Sequence, residues 1–158
     1  MKHAKTIGVG LLWLAVCQLP ALVSAPVVQH NLAWFHTLRK PVLVPPDAVF
    51  GMVWGVLYIL LGLAAAVAFR PGLQKPKRSA MILLLLQLVL NAMWTPVFFG
   101  LHNLAGALII VLMMIAEGVL MHRAFYALDK RASYLLWPYW GWLLFATYLT
   151  AGFVRLNF

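Results

Sequence analysis

The sequence predicts an all-α membrane protein: a five-transmembrane-helix bundle forming a single domain over residues 1–158. Three observations carry that expectation. The chain is 65% hydrophobic and only 9% charged, where a soluble domain averages roughly 45–50% and about 25%. At 158 residues it is too short to hide so much apolar surface from water, because the buried fraction falls with size. The apolar residues also fall in five long runs. None alternates as a barrel strand does, so each satisfies its backbone in hydrocarbon only as a helix.

About 20 apolar residues cover the roughly 30 Å of hydrocarbon. The first span covers about 7–28. Lys2 and Lys5 ahead of it and Val23-Ser24-Ala25 near its end resemble a secretory signal. The apolar stretch is too long for one, however, and Pro26 would follow the cut directly, so a retained helix is expected. Residues 29–47 are too polar to span. Trp34 and Phe35 suit the membrane interface, and Pro41, Pro45 and Pro46 disfavour a regular helix. A long, stiff, aromatic connection reads as a lid loop. The second span covers 48–69, where Gly51-Met52-Val53-Trp54-Gly55 fits the small-residue pattern for close helix approach. Gly72 to Arg78, bracketed by Pro71 and Pro76, is a short basic surface turn. The remaining spans cover 80–99, 104–125 and 134–154.

The formal net charge is +9. A nucleic-acid partner would need a basic stripe on a wet face, whereas these cations sit between apolar runs. Nine lie on the N-terminal side (Lys2, Lys5, Arg70, Lys75, Lys77, Arg78, Arg123, Lys130, Arg131) and three on the other (Arg39, Lys40, Arg155). The positive-inside rule then puts the N-terminus in the cytoplasm, and the lack of a targeting extension points to a bacterial cell membrane. Cys17 is the single cysteine, so there is no internal disulfide, and inside an apolar run it acts as a small hydrophobe. His3, His30, His36, His102 and His122 show no metal or haem-ligand spacing. No nucleophile–base pair, phosphate loop or carboxylate pair appears, so no metal or required cofactor is expected.

Polar and aromatic residues within the spans carry the functional signal. Gln87, Asn91 and Trp94 share one face of the third helix, and Trp54 and Tyr58 one face of the second. These read either as interhelical hydrogen bonding or as a pocket wall. The fifth helix carries Trp137 and Trp140, placed for the interfacial belt, and Trp142 with Phe145 deeper in. Seven tryptophans exceed what two belts require, and a planar aromatic ligand between indoles accounts for the surplus. Glu117, the only acid within a span, reads as a partner of Arg123 or another head-group-side cation, as simply neutral, or as a proton site.

These residues, in this order, resemble the TspO/MBR family (translocator protein, tryptophan-rich sensory protein, peripheral-type benzodiazepine receptor) along nearly the whole chain. One block is Trp34-Phe35-x-x-Leu38-x-Lys40-Pro41, continuing as Pro45-Pro46-x-x-Val49-Phe50-Gly51-x-Val53-Trp54-x-x-Leu57-Tyr58. The others are Gln87-Leu88-x-Leu90-Asn91-x-x-Trp94-x-x-x-Phe98-Phe99 and Ala132-x-x-Leu135-Leu136-x-Pro138-Tyr139-x-x-Trp142-x-x-Phe145-Ala146. The resemblance implies a five-helix bundle, often homodimeric, with a pocket closed by the first loop, and porphyrins such as protoporphyrin IX as ligands. By motif match the ligand-binding residues would be Trp34, Trp54, Tyr58, Asn91, Trp94, Trp142 and Phe145. Some members support light- and oxygen-dependent porphyrin breakdown, which would make Trp54 and Trp142 the catalytic candidates. The chain departs from the family at Leu149-Thr150, where a pocket amide is expected, and at Ile115, where relatives can carry tryptophan. The sterol-recognition pattern also fails between Tyr148 and Arg155.

The resulting expectation is a membrane-embedded porphyrin-binding receptor acting in transport, scavenging or stress sensing. Arg39 and Lys40 at the mouth would pair with propionates. The alternatives are a porphyrin-degrading enzyme and a regulatory protein acting on a membrane partner.

Overall fold

The computed structural model describes residues 2–73 and 77–158, with the side chains from residue 4 onward. Lys75 and Pro76 of the basic turn lie outside the described residues. The described chain is all-helical. Its elements are α1 (Lys2–Cys17), α2 (Leu19–Thr37), α3 (Asp47–Ala68), α4 (Arg78–Thr95), α5 (Leu104–Leu128), the short α6 (Lys130–Tyr134) and α7 (Trp137–Asn157). A π-helical turn, Pro96–Gly100, prolongs α4. Among the described residues four helical stretches are long and apolar enough to cross a membrane: Ala4–Thr37, Asp47–Ala68, Arg78–Gly100 and Leu104–Leu128. α7 has the length, at 21 residues, but Pro138, Arg155, Asn157 and its tryptophans and tyrosines make it less apolar.

The largest departure from the sequence reading is the first connection. Residues 29–37 are helical, so the non-helical strap is 38–46 rather than 29–47. Pro41 restrains only itself and Lys40 before it, leaving His30 to Thr37 free to continue α2. The Thr37 hydroxyl donates to the Trp34 carbonyl at 2.7 Å and closes the last turn.

α1 and α2 make one bent rod. Pro20, at the start of α2, has no N–H for the preceding turn and its ring crowds that turn's carbonyl, so the helix is interrupted at Gln18. The bend sends the two halves to different neighbours: α1 packs on α3, while α2 leans on α4 and the π turn. Gly62 permits the first contact, because a Cβ there would lie 2.9 Å from Leu14 Cα. α2 and α3 therefore diverge, and the space between them is the cavity described below.

α5 lies between α4 and α7. Asn103 caps it, accepting from the Gly106 N–H at 2.8 Å, an arrangement worth about 1 kcal/mol. Gly118 lets Trp140 lie flush on α5; a Cβ there would come within 2.9 Å of the indole. Trp140 thus packs between helices, whereas Trp137 projects outward. At the same end of the bundle Arg70 donates to Asp129. That bond, then the Arg131 backbone N–H, hold the Asp129 carboxyl below the usual carboxylate range. The outer faces carry exposed Ile7, Leu11, Met52, Ile82, Ile109 and Leu120, as lipid contact requires. Cys17 is fully buried, in keeping with its reading as a small hydrophobe.

Candidate functional site

A cavity of about 330 Å³ opens between α2 and α3 and reaches inward to α4, α5 and α7. Its volume is at the low end for small-molecule sites, and its lining is mostly apolar, as such sites are. One wall is an aromatic stripe on α3, where Phe50, Trp54 and Tyr58 follow at helical i, i+4 spacing. Trp54 stacks on Tyr58 at 5.5 Å. It meets Trp142 of α7 edge-on at 6.4 Å and 88°, and Phe50 meets Trp142 in the same manner at 5.9 Å. The facing wall is Trp94 stacked on Phe98 at 5.0 Å and 22°, with Phe35 and Phe153 beyond.

The π turn accounts for the Trp94–Phe98 pair. Pro96 cannot donate to the preceding turn, and the ladder widens so that Leu101 N–H donates to the Pro96 carbonyl at 2.8 Å. Such π turns occur disproportionately at functional sites.

Of the residues expected at the site, Trp54, Tyr58, Asn91, Trp94 and Trp142 all line the cavity. Four others do not. Trp34 points away from it and stacks on His102 at 3.9 Å and 15°; the neighbouring Phe35 enters instead, because successive helical residues face different ways. Phe145 sits behind Trp142, with ring centres 5.4 Å apart. Arg39 is tied by its backbone to Asn157, its N–H donating at 2.9 Å and its carbonyl accepting at 3.0 Å. The Lys40 ammonium does not line the cavity but lies over the Phe35 ring, 5.0 Å from its centre. It is one ring removed from the cavity.

Sequence reasoning missed Phe35, Phe50 and Phe98 as lining residues. Phe50 and Phe98 were legible as i, i+4 extensions of the Trp54 and Trp94 stripes. Thr150, at the position where the resemblance leads one to expect a pocket amide, does line the cavity, but its hydroxyl donates back to the Ala146 carbonyl at 2.7 Å. Within the chain the Gly51–Gly55 pair does not serve close helix approach. A Cβ on either meets nothing within 4 Å, and both glycines line the cavity.

The buried polar groups are unevenly satisfied. Trp94 Nε1, Trp142 Nε1 and Asn91 Oδ1 are buried without a hydrogen-bond partner, although each unmade bond costs about 1–3 kcal/mol. Gln87 and Tyr139 lie behind the wall. The Tyr139 hydroxyl accepts from Asn91 Nδ2 at 2.7 Å. Glu117 is held by the Gln87 amide rather than by Arg123. Among the described residues no group of three His, Cys, Asp or Glu could hold a metal ion.

The strap is fastened to α7. Besides the Asn157 pair, the Tyr148 hydroxyl donates to the Val42 carbonyl at 3.1 Å. Pro41 sits so close on Gly152 that a Cβ there would lie 2.6 Å from its ring. Across the mouth, His36 Nε2 and Asp47 Oδ2 are 2.7 Å apart, joining the end of α2 to the start of α3.

The profile of the TspO/MBR family matches residues 9–156. A tryptophan-rich sensory protein of Cereibacter sphaeroides is 37% identical over 93% of this chain and 90% of its own. A tryptophan-rich protein TspO of Chlorobaculum tepidum is 36% identical over 92% and 94%. The human translocator protein is 34% identical over 76% and 72%. The chain belongs to the TspO/MBR family of membrane proteins.

Proposed function

We propose that this protein binds a flat, largely apolar aromatic ligand of the porphyrin class within the membrane, in the cavity between α2 and α3. In this reading it crosses the bilayer five times, α1–α2 and α7 included, with its N-terminus in the cytoplasm of a bacterial cell and a homodimer as the assembled form. The observation that carries it is the cavity wall: three indoles and six further aromatic rings, two of the indoles with unpartnered N–H groups. A macrocycle offers π faces to such rings, and its peripheral carboxylates would accept from indole N–H. The small residues at the opening, Gly51 and Gly55 on α3 and Ala21 and Ala25 on α2, leave room for an edge of the ring to protrude. Binding of this kind serves transport, scavenging or sensing alike.

Titrating the protein in lipid nanodiscs with protoporphyrin IX tests it. Saturable quenching of tryptophan fluorescence is expected, weakened at least tenfold by Trp54→Ala and by Trp142→Ala. Equal affinity in both variants and the wild type would place any binding elsewhere and reject the reading.

One observation favours a second reading, light-driven oxidation of the porphyrin. Trp54 and Trp142 meet edge-on, close enough to pass an electron from one indole to the other. Illumination of the complex in air should then yield a defined product and lose it in Trp54→Phe. Bleaching at the rate of free porphyrin would reject this reading while leaving binding intact.

A further inference from the structure

Behind the cavity wall a chain of buried polar groups runs from α4 through α7 to α5. Gln87, Asn91, Tyr139 and Glu117 are 0%, 3%, 1% and 7% exposed. The Gln87 amide points its NH2 at Glu117 Oε2 and at the Met114 carbonyl, 3.3 Å away, and its oxygen at the Tyr139 hydroxyl, 2.6 Å away. The opposite orientation would set an oxygen against the carboxyl and carbonyl oxygens, and would leave Tyr139 with two donors facing it and nothing to donate to. The bonds therefore run one way. Asn91 donates to Tyr139 at 2.7 Å, Tyr139 to Gln87, and Gln87 to Glu117. The other Asn91 N–H donates to the Gln87 backbone carbonyl at 2.8 Å.

This direction has a consequence at the cavity. Both amide hydrogens of Asn91 are used, and its carbonyl oxygen is left without a partner. Asn91 is the member of the chain that lines the cavity. Turned over, it would face its oxygen toward the Gln87 carbonyl and toward a Tyr139 hydroxyl whose proton is already given to Gln87. The backbone carbonyl opposes that flip on its own; Glu117, by fixing Gln87 and so Tyr139, removes the one arrangement that would offset it.

We propose that Glu117 is a specificity-determining positioning residue: through Gln87 and Tyr139 it fixes Asn91 as a hydrogen-bond acceptor in the cavity wall, so the site favours aromatic ligands carrying an N–H or O–H donor at that depth. The proposal rests on the cavity being the binding site and adds a ligand class to it. Glu117 does not touch the ligand. Its effect is on the choice between ligands, not on how tightly aromatics bind in general.

The test uses the full chain in nanodiscs, with 5-fluoroindole and 5-fluorobenzofuran as probes. They match in size and differ in the ring N–H. Binding is read by ¹⁹F NMR against empty nanodiscs. The wild type should bind the indole at least fivefold more tightly. Glu117→Met should bring the ratio below twofold, while Glu117→Gln, which keeps an acceptor oxygen for the Gln87 N–H, should retain it. Tyr139→Phe cuts the chain at another link and should match Glu117→Met, which keeps the test open if that variant fails to fold. A purely structural role would weaken both probes together and leave the ratio alone. An unchanged ratio in Glu117→Met or Tyr139→Phe, or equal wild-type affinities, overturns the proposal. A Trp54→Ala variant separates the two levels. If it leaves both probes bound as before, or if neither probe binds the wild type, the cavity reading fails with the proposal; if it abolishes binding that never showed a donor preference, only the proposal falls.

Discussion

Gly55 and Gly62 lie two turns apart on α3, and the structure assigns the same substitution opposite consequences at the two positions. A methyl at Gly62 would sit 2.9 Å from Leu14 Cα and 3.2 Å from the Trp13 carbonyl oxygen. Both are backbone atoms that cannot swing aside, so α1 must move off α3. Overpacking of this kind costs about 1–3 kcal/mol, against about 0.5–1 kcal/mol recovered by replacing glycine within a helix. Gly62→Ala should therefore lose up to about 2 kcal/mol, a fall of several degrees at roughly 2–4 °C per kcal/mol for a chain of this size. At Gly55 the methyl meets nothing within 4 Å, so only the helix gain applies, and Gly55→Ala should melt at or slightly above the wild type. Gly55→Leu carries the comparison to binding. Its side chain would enter the cavity mouth and should weaken protoporphyrin IX at least tenfold, about 1.4 kcal/mol, with thermal stability kept. The assay is thermal unfolding in one detergent, followed by circular dichroism, with a fluorescence titration beside it. If Gly55→Ala were destabilised as much as Gly62→Ala, Gly55 would be a packing glycine and the cavity between α2 and α3 would not be as open as described.

Trp142→Phe removes a buried N–H that has no partner, so the ligand-free protein should be as stable as the wild type or more so, while porphyrin affinity falls; a large loss of ligand-free stability would show that the N–H is satisfied. Asn157→Ala unties both strap bonds to Arg39 and should speed porphyrin release severalfold in stopped-flow chase, with little change in melting; an unchanged release rate would mean the strap does not gate the cavity. Asp129→Asn keeps a side-chain oxygen for the Arg131 N–H, which Asp129 now caps at 2.9 Å, and loses the charge pair with a half-exposed Arg70. It should cost under about 1 kcal/mol at neutral pH, and Asp129→Ala more, since the cap goes too. Because the folded carboxyl titrates below its unfolded value, the charge contribution is full above the unfolded pKa near 4 and fades as pH falls through the folded one. The Asn variant and the wild type should then converge in melting temperature in acid and stay apart at neutral pH.

The helical class and most helix positions were legible because lipid imposes a length and a composition that run through every residue of an apolar run. Trp54, Tyr58, Asn91, Trp94 and Trp142 were legible for a narrower reason: spacing puts Trp54 with Tyr58 and Asn91 with Trp94 on common helix faces, and the motif match to the family, which also covers Trp142, named them as a site. What escaped depended on where helices bend. Nothing local distinguishes Phe35 from Trp34; which ring enters the cavity is decided by the azimuth of α2, and that is set by the interruption at Gln18 some 17 residues earlier. The Gly51–Gly55 pattern meets no neighbour within the chain for the same reason. Small residues four apart permit close approach, but whether a neighbour comes close depends on its direction, and α2 has been turned away. For Glu117 the sequence offers nearby cations such as Arg123, whereas its partner Gln87 belongs to another helix.

These particulars divide the molecule into two ends with different physical tasks. At one end, α1 rests on α3 through Gly62, Trp140 fills the notch at Gly118, and Arg70 meets Asp129. Contacts there are close and mutually dependent, so a single methyl is felt. At the other end, α2 has been diverted onto α4, and what spans the gap is the strap 38–46, held by Asn157 and Tyr148, with the His36–Asp47 pair. Those are few, partly exposed polar contacts, worth far less than a packed helix interface. A cavity able to admit a rigid aromatic molecule from the bilayer requires this asymmetry. An opening must cost little, and the helices that carry Trp54, Trp94 and Trp142 must not move when it forms. The proline-induced bend supplies both conditions, because it separates the half of the first rod that braces the bundle from the half that borders the cavity.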